Sequence, residues 1–320
     1  MDTIEMRYRS LGSCGMKISA LSLGGWTTFG ESVKEEKLVQ KTFHTAFDAG
    51  INHFDLADIY AIGECERIVG KAIKDLPRHR MVIASKAFWP MSEDINDRGC
   101  SRKHIMESID KSLKRIGTDY VDIYYCHRYD TDTPLEETVR AMDDLIHQGK
   151  ALYWGTSEWS GDQLRAAYKI CKENNLYCPL VEQPEYNLMY RERVEKDVAP
   201  AATALGMGLV VWSPLGSGVL TGKYDEGIPE DSRLSRMKPD DLPGNPYTEE
   251  NVEKVKRMKK IADELGCTRA QLALAWAAAQ PGITSVITGA TKIAQLRENL
   301  GSLNIDITKE VTDSLDTLFR

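Results

Sequence analysis

The chain has 320 residues, 42% of them hydrophobic and 28% charged, with a formal net charge of -7. Basic residues do not gather into a nucleic-acid footprint, the N-terminal MDTIEMRYRS lacks the apolar core of a signal peptide, and no apolar stretch reaches membrane-spanning length. The 7 cysteines are odd in number and form no CxxC pair, which points to a reducing, cytoplasmic setting and argues against a disulfide frame or a structural zinc site.

In chain order, residues 8–11 and 17–19 flank Ser13-Cys14-Gly15 and read as a small hairpin. A first strand, 20–23, runs into Gly24-Gly25-Trp26, and a helix over 35–48 stops near Gly50. A second strand covers 51–56 and a helix about 63–75; a third strand covers 81–85. Ser101 reads as the N-cap of a helix reaching Ile116, with apolar residues at 105, 109, 113 and 116. Strand four is 121–126, and Pro134 takes the first position of a helix that Gly149 ends. Strand five, 151–156, precedes a helix over 160–173; strand six, 180–183, precedes one over 191–205; strand seven is 209–212. The long segment 213–247, rich in Gly, Pro and charge, is the least regular part and reads as a functional loop. Helices over 248–265 and 268–279, an eighth strand at 285–288, and helices over 293–300 and 308–318 complete the chain.

Eight short apolar strands alternating with helices, with no Pro- or Ser-rich linker, predict an α/β fold with a parallel sheet closed into a (β/α)8 TIM barrel, as one domain over 1–320. An N-terminal β-hairpin and extra helices near the C-terminus are added to it. A doubly wound open sheet is the alternative. In such barrels chemistry sits at the carboxyl ends of the strands. Those ends read Trp26, Asp55, Lys86, His127, Ser157, Gln183, Trp212 and Gly289. Singly, each has an ordinary reading: Asp55 as a cap or structural ion pair, Lys86 as a solvated lysine, His127 as a satisfied polar residue, Gln183 as a backbone binder, Trp212 as core, Tyr60 as a rim aromatic. A full set on one rim favours a site.

An acid at the end of a buried strand needs a cation, and Lys86, closing the next apolar run, is the partner expected for Asp55. Lys86 would lower the pKa of the Tyr60 phenol, Tyr60 would deliver a proton, and His127 would orient the same substrate oxygen. Protonating an oxygen suits carbonyl reduction, and since no side chain donates hydride a nicotinamide cofactor is required. The segment GSGVLTGKY at 216–224 fails both glycine motifs, with Thr221 where the dinucleotide fingerprint needs its third glycine and Tyr224 where a P-loop needs Ser or Thr. Phosphates would instead meet the loops after strands seven and eight, at 216–223 and 289–299.

The blocks GGWTTFG, NHFDLADIY, SRKHIMESIDKSLKRIGTDYVDIYYCHR, YWGTSEWS, WSPLGSGVLTGKY and GATKIAQLRENL stand in the order of the aldo-keto reductase superfamily. Over almost its whole length the chain resembles that family, in the branch of potassium channel beta subunits and related bacterial aldehyde reductases. The resemblance implies a catalytic set of Asp55, Tyr60, Lys86 and His127 with Tyr60 as proton donor, and NADP(H) extended across the barrel mouth. It implies Ser157 and Gln183 at the carboxamide, with Trp212 stacked on the nicotinamide. Gly25, Trp26 and Asp55 would lie beside the cofactor. Ser213, Pro214, Leu215, Ser217, Gly218 and Lys223 would line the pyrophosphate, under a loop able to close. Arg233, Gly289, Thr291, Gln295, Glu298 and Asn299 would hold the adenosine end, with Lys292 adding charge near a ribose phosphate. The chain carries His127 where channel beta subunits typically carry Asn, and Glu158 where many members carry Asn.

The expected substrate is a small carbonyl compound, met by Trp26, Tyr60, Trp89 and His127; Phe88, Tyr129 and Trp159 add aromatic character. Arg128 reads as a solvated loop arginine or as a contact for an anionic group. The competing reading is a slow-turnover, redox-sensing auxiliary subunit, against which stand His127 and the lack of a long N-terminal inactivating segment. A barrel hydrolase using Asp55 and a second carboxylate would leave Lys86 and Tyr60 idle. A homo-oligomer is compatible with the sequence.

Overall fold

The apolar runs pair side by side until the last meets the first. In the computed structural model, which describes residues 5–237 and 244–320, β1 (Tyr8–Ser10) and β2 (Lys17–Ser19) form the antiparallel hairpin. Eight parallel strands then close into a barrel: β3 (Leu21–Gly24), β4 (His53–Asp55), β5 (Val82–Ala87), β6 (Val121–Cys126), β7 (Ala151–Ser157), β8 (Val181–Gln183), β9 (Gly208–Val211) and β10 (Ile283–Thr288). β10 pairs with both β9 and β3, which excludes the open doubly wound sheet. The helices α1 (Glu36–Asp48), α2 (Glu64–Ile73), α3 (Arg102–Ile116), α4 (Leu135–His147), α5 (Gly161–Asn174) and α6 (Ala199–Leu205) alternate with the strands. α7 (Arg233–Arg236), α8 (Glu249–Glu264) and α9 (Arg269–Ala279) fall between β9 and β10, and α10 (Ile293–Leu300) and α11 (Lys309–Phe319) follow. Residues 1–4 of the segment read as lacking a signal peptide, and 238–243 of the long loop, lie outside the described residues.

Alternation along the strands decides what faces inward. Val82, Ala84, Ile123, Tyr125, Val181, Val210 and Ile287 form one buried cluster, and Leu11 and Ile18 of the hairpin region join it. Two residues further along the same strands come Lys86, His127, Gln183 and Trp212, so the interior turns polar at the carboxyl end. Gly155 makes room inside: a Cβ there would lie 2.4 Å from Val181 Cγ1 and 2.8 Å from Tyr125 Cε1.

Local departures from expectation have local causes. Ser101 caps α3 by accepting from the His104 N–H at 3.2 Å. Pro134 is the N-cap of α4 with ψ 127°, one position earlier than expected. The helix expected over 191–205 widens into a π-helical stretch over Val194–Val198 before α6. Pro200 has no N–H to donate, and its ring crowds the carbonyl of Lys196.

Candidate active site

Asp55 ends β4, in register with Gly24 on one side and Ala84 on the other, and Lys86 lies one pleat beyond Ala84 on β5. The Lys86 ammonium donates to Asp55 Oδ2 at 2.7 Å, to the Leu56 carbonyl at 2.7 Å and to the Tyr60 hydroxyl at 3.1 Å. Its three N–H donors are thereby committed. The Lys86 side chain is 0% exposed and that of Asp55 3%, so each charge depends on the other. The other Asp55 oxygen accepts from Gln183 Nε2 at 2.9 Å, and the Gln183 carbonyl accepts from Ser157 Oγ at 2.8 Å.

A strained turn presents Tyr60. Ala61 and Ile62 adopt φ 49° and 50°, and Gly63 follows at 81° before α2 begins. A left-handed β-branched residue costs of the order of 1–2 kcal/mol, and here the turn brings the Tyr60 ring within 5.9 Å of the His127 ring, edge to face. Asp58, which the sequence reading missed, anchors that turn. It is buried, accepts from the Ile59 N–H at 2.6 Å and Ser108 Oγ at 2.9 Å, and is pushed up to about 7, chiefly by burial. The repeated acid in Asp55-Leu-Ala-Asp58 was the signal available. Behind Lys86, Glu66 accepts from Ser85 Oγ at 2.6 Å and Arg115 Nε at 2.6 Å, an interior network without a motif to announce it.

The electrostatics correct one expectation. Burial, with Asp55 and Cys65 adding to it, holds the Tyr60 phenol well above its ordinary 10. Burial outweighs the neighbouring cations, so Tyr60 keeps its proton throughout the neutral range. Burial lowers the Lys86 ammonium, against the pull of Asp55. Burial, Lys86 and Arg128 hold His127 well below 6.5, so the imidazole is neutral.

Asp55, Tyr60 and His127 floor a cleft of about 740 Å³ at the carboxyl ends of the strands. Its walls include Trp26, Asp55, Tyr60, Trp89, His127, Ser157, Gln183, Trp212, Ser213, Pro214 and Leu215 from the barrel mouth. Ser217, Gly218, Lys223 and Arg233 come from the long loop, and Gly289, Thr291, Gln295, Glu298 and Asn299 from the end of β10 and α10. Most of the expected site residues thus come together. Lys86 is sealed beneath the floor, and Gly25 faces away: a Cβ there would lie 2.4 Å from Cys65 Sγ, and Gly24 lines the cleft instead. Of the aromatic set, Trp26 and Trp89 reach the cleft, whereas Trp159 is buried against Tyr129 at 4.9 Å and Phe88 packs on Trp89. Lys292 is exposed outside it. Arg128 is a cleft residue rather than a solvated one, donating to the His127 carbonyl at 2.5 Å with its guanidinium 5.5 Å from the Trp89 ring centre. Glu158 does not face the cleft; Oε1 accepts from Trp212 Nε1 at 2.9 Å and Oε2 from Arg193 at 2.8 Å.

The walls suit a flat ring with a phosphorylated tail. Trp26 and Trp212 meet at right angles with centres 5.6 Å apart beside Gln183 and Ser157. The hydroxyls of Ser213 and Thr27 are buried in the cleft wall without a hydrogen-bond partner among the described residues, and both can meet a polar ligand. Lys223, Arg233 and Arg236 supply cations along one limb, and the Arg233 guanidinium lies 5.5 Å from the Trp26 ring centre across the opening. Among the described residues no three His, Cys, Asp or Glu side chains gather as a metal site, and no helix is long and apolar enough to cross a membrane.

A closed parallel barrel with a buried lysine–carboxylate pair, a phenol and an imidazole at its carboxyl mouth is the architecture of a barrel carbonyl oxidoreductase. The chain belongs to the aldo/keto reductase family, whose model matches residues 20–320. It is 47% identical over 320 residues to a protein of Oryza sativa subsp. japonica named "Probable voltage-gated potassium channel subunit beta", covering 98% of this chain and 96% of that one. It is 48% identical over 305 residues to an Arabidopsis thaliana protein of the same name, covering 94% and 92%.

Proposed function

We propose that this chain is an NADPH-dependent reductase that converts an aldehyde or ketone to an alcohol in the cytoplasm, as a single-domain enzyme. The observation that carries the reading is the hydrogen-bonded run Asp55–Lys86–Tyr60 at the floor of the cleft, with His127 beside it. When bound, the nicotinamide supplies the hydride. Ser157, Gln183 and Trp212 are the groups suited to hold its ring, and Ser213, Ser217, Lys223 and Arg233 to hold its phosphates.

The protein's own part is proton delivery and orientation. Tyr60 enters the reaction protonated, because its burial disfavours phenolate. Its oxygen already accepts from Lys86, so its hydrogen is left for a substrate oxygen in the cleft. The phenolate formed on transfer sits 3.1 Å from the ammonium, which stabilises the charge as it develops. Asp55 keeps that ammonium charged and in place. His127, neutral, directs the same oxygen without competing as an acid. Trp89 and Trp26 add apolar surface to the cleft wall beside it.

The test is NADPH oxidation over a panel of small aldehydes, methylglyoxal and glyceraldehyde 3-phosphate among them, for the wild type and Tyr60→Phe. Turnover should fall by about 10²–10⁴-fold in the variant while NADPH still binds. Unchanged turnover would remove Tyr60 as proton donor. The names of the rice and Arabidopsis relatives favour a second reading, an auxiliary channel subunit that senses redox state. NADPH binding without turnover on any carbonyl would select it; no NADPH binding would sink both.

A further inference from the structure

We propose that Glu158 is a positioning residue that fixes the Trp212 indole as one wall of the nicotinamide seat, a role that rests on the cofactor reading above. Glu158 follows β7 in a left-handed conformation, φ 62°. A non-glycine residue holds that conformation when its surroundings over-determine it, and here three hydrogen bonds do so. Oε1 accepts from Trp212 Nε1 at 2.9 Å and from the Glu185 N–H at 2.5 Å. Oε2 accepts from Arg193 Nη1 at 2.8 Å, and Arg193 Nη2 donates to the Trp159 carbonyl at 2.9 Å. One carboxylate therefore ties the segments that follow three successive strands, β7, β8 and β9.

Trp212 has a fixed backbone: its N–H donates to the Pro184 carbonyl at 3.1 Å, and its carbonyl accepts from the Tyr186 N–H at 3.2 Å. The backbone leaves the ring free to rotate about two side-chain torsions. The indole N–H bond to Glu158 removes that freedom and sets the plane that meets Trp26 at 90°. A carboxylate is the side chain the site requires. One oxygen serves two neutral N–H groups while the other satisfies a guanidinium, and charge-assisted bonds of this kind are the strong ones. An amide would offer Arg193 an N–H₂ or lose the double acceptor at Trp212.

The experiment uses the whole chain without ligand, then with NADPH. In a proton–nitrogen correlation spectrum the Trp212 indole resonance, assigned by its loss in Trp212→Phe, should move upfield in Glu158→Ala and less far in Glu158→Gln. NADPH affinity should fall on the order of tenfold in Glu158→Ala, the scale of one lost hydrogen bond to a charged group. Affinity for the ribose-phosphorylated adenosine bisphosphate, which lacks the nicotinamide ring, should not change. In a Trp212→Phe background Glu158→Gln should cost NADPH affinity nothing further, because the bond it weakens is already absent. Glu158→Gln keeps the test informative if the alanine variant does not fold. An unmoved indole resonance would overturn the proposal. So would equal weakening of both ligands, which would mark a general structural role. A wild type that binds no NADPH, with the indole resonance still moving, would overturn the proposal through the cofactor reading rather than through the clamp.

Discussion

Replacing Lys86 by Met tests the buried pair directly. Met has nearly the volume of the lysine stem and no charge, so the packing loss is small and the electrostatic loss is isolated. The Asp55 side chain, 3% exposed, would keep its bond from Gln183 at 2.9 Å and lose the ammonium at 2.7 Å. Removing one member of a buried pair costs about 3–5 kcal/mol, because the other charge is left uncompensated. With an unfolding entropy of about 2.1 cal/mol/K per residue, this chain's 320 residues translate that loss into a fall in Tm of roughly 4–7 °C. The double variant Lys86→Met/Asp55→Leu should recover most of the loss, since removing both charges of a buried pair is often neutral. Scanning calorimetry of the wild type and both variants measures all of this. A single variant as stable as the wild type, or a double variant in which the losses simply add, would refute the account of Asp55 and Lys86 as mutually dependent charges.

Two further outcomes follow from the interior. Gly155→Ala should destabilise the barrel by about 1–3 kcal/mol, readable as a lower urea midpoint, because the added methyl meets Val181 and the Tyr125 ring; an unchanged midpoint would mean that β7 and β8 shift apart freely. Glu182 is fully buried, accepts from Thr156 Oγ1 at 2.5 Å and the Trp159 N–H at 3.1 Å, and is pushed up to about 8, chiefly by burial. Its contribution to stability should therefore be complete below about pH 4.5, its ordinary value, and be lost as pH rises through about 8. Glu182→Gln should flatten the decline in Tm between about pH 4.5 and 8, and an equally steep decline in that variant would place the titration elsewhere.

The barrel and most of the site residues were legible because the signals are local. A strand's apolar run, the helix period that follows it and the polar residue at its carboxyl end lie within some tens of residues, and repeating that unit eight times constrains the fold. Asp55, Tyr60, Lys86 and His127, each at or just after a strand end, were legible as candidates for the same reason. Closure was not local. Asp55 and Gln183 stand 128 residues apart in sequence, and only the barrel brings them to 2.9 Å. Burial belongs to the same class: the phenol of Tyr60 is pushed up because the fold removes water from it, and no spacing in the sequence states how completely. Gly25 reads as a cleft residue from its place in the sequence, whereas in the fold a Cβ there would meet Cys65 and Gly24 lines the cleft. Glu158 reads as a missing amide until its two oxygens are found on Trp212, Glu185 and Arg193. Which residues reach the rim follows from periodicity, a property of the chain; which atoms meet there depends on how eight strands, each twisted relative to the next, are registered when they close.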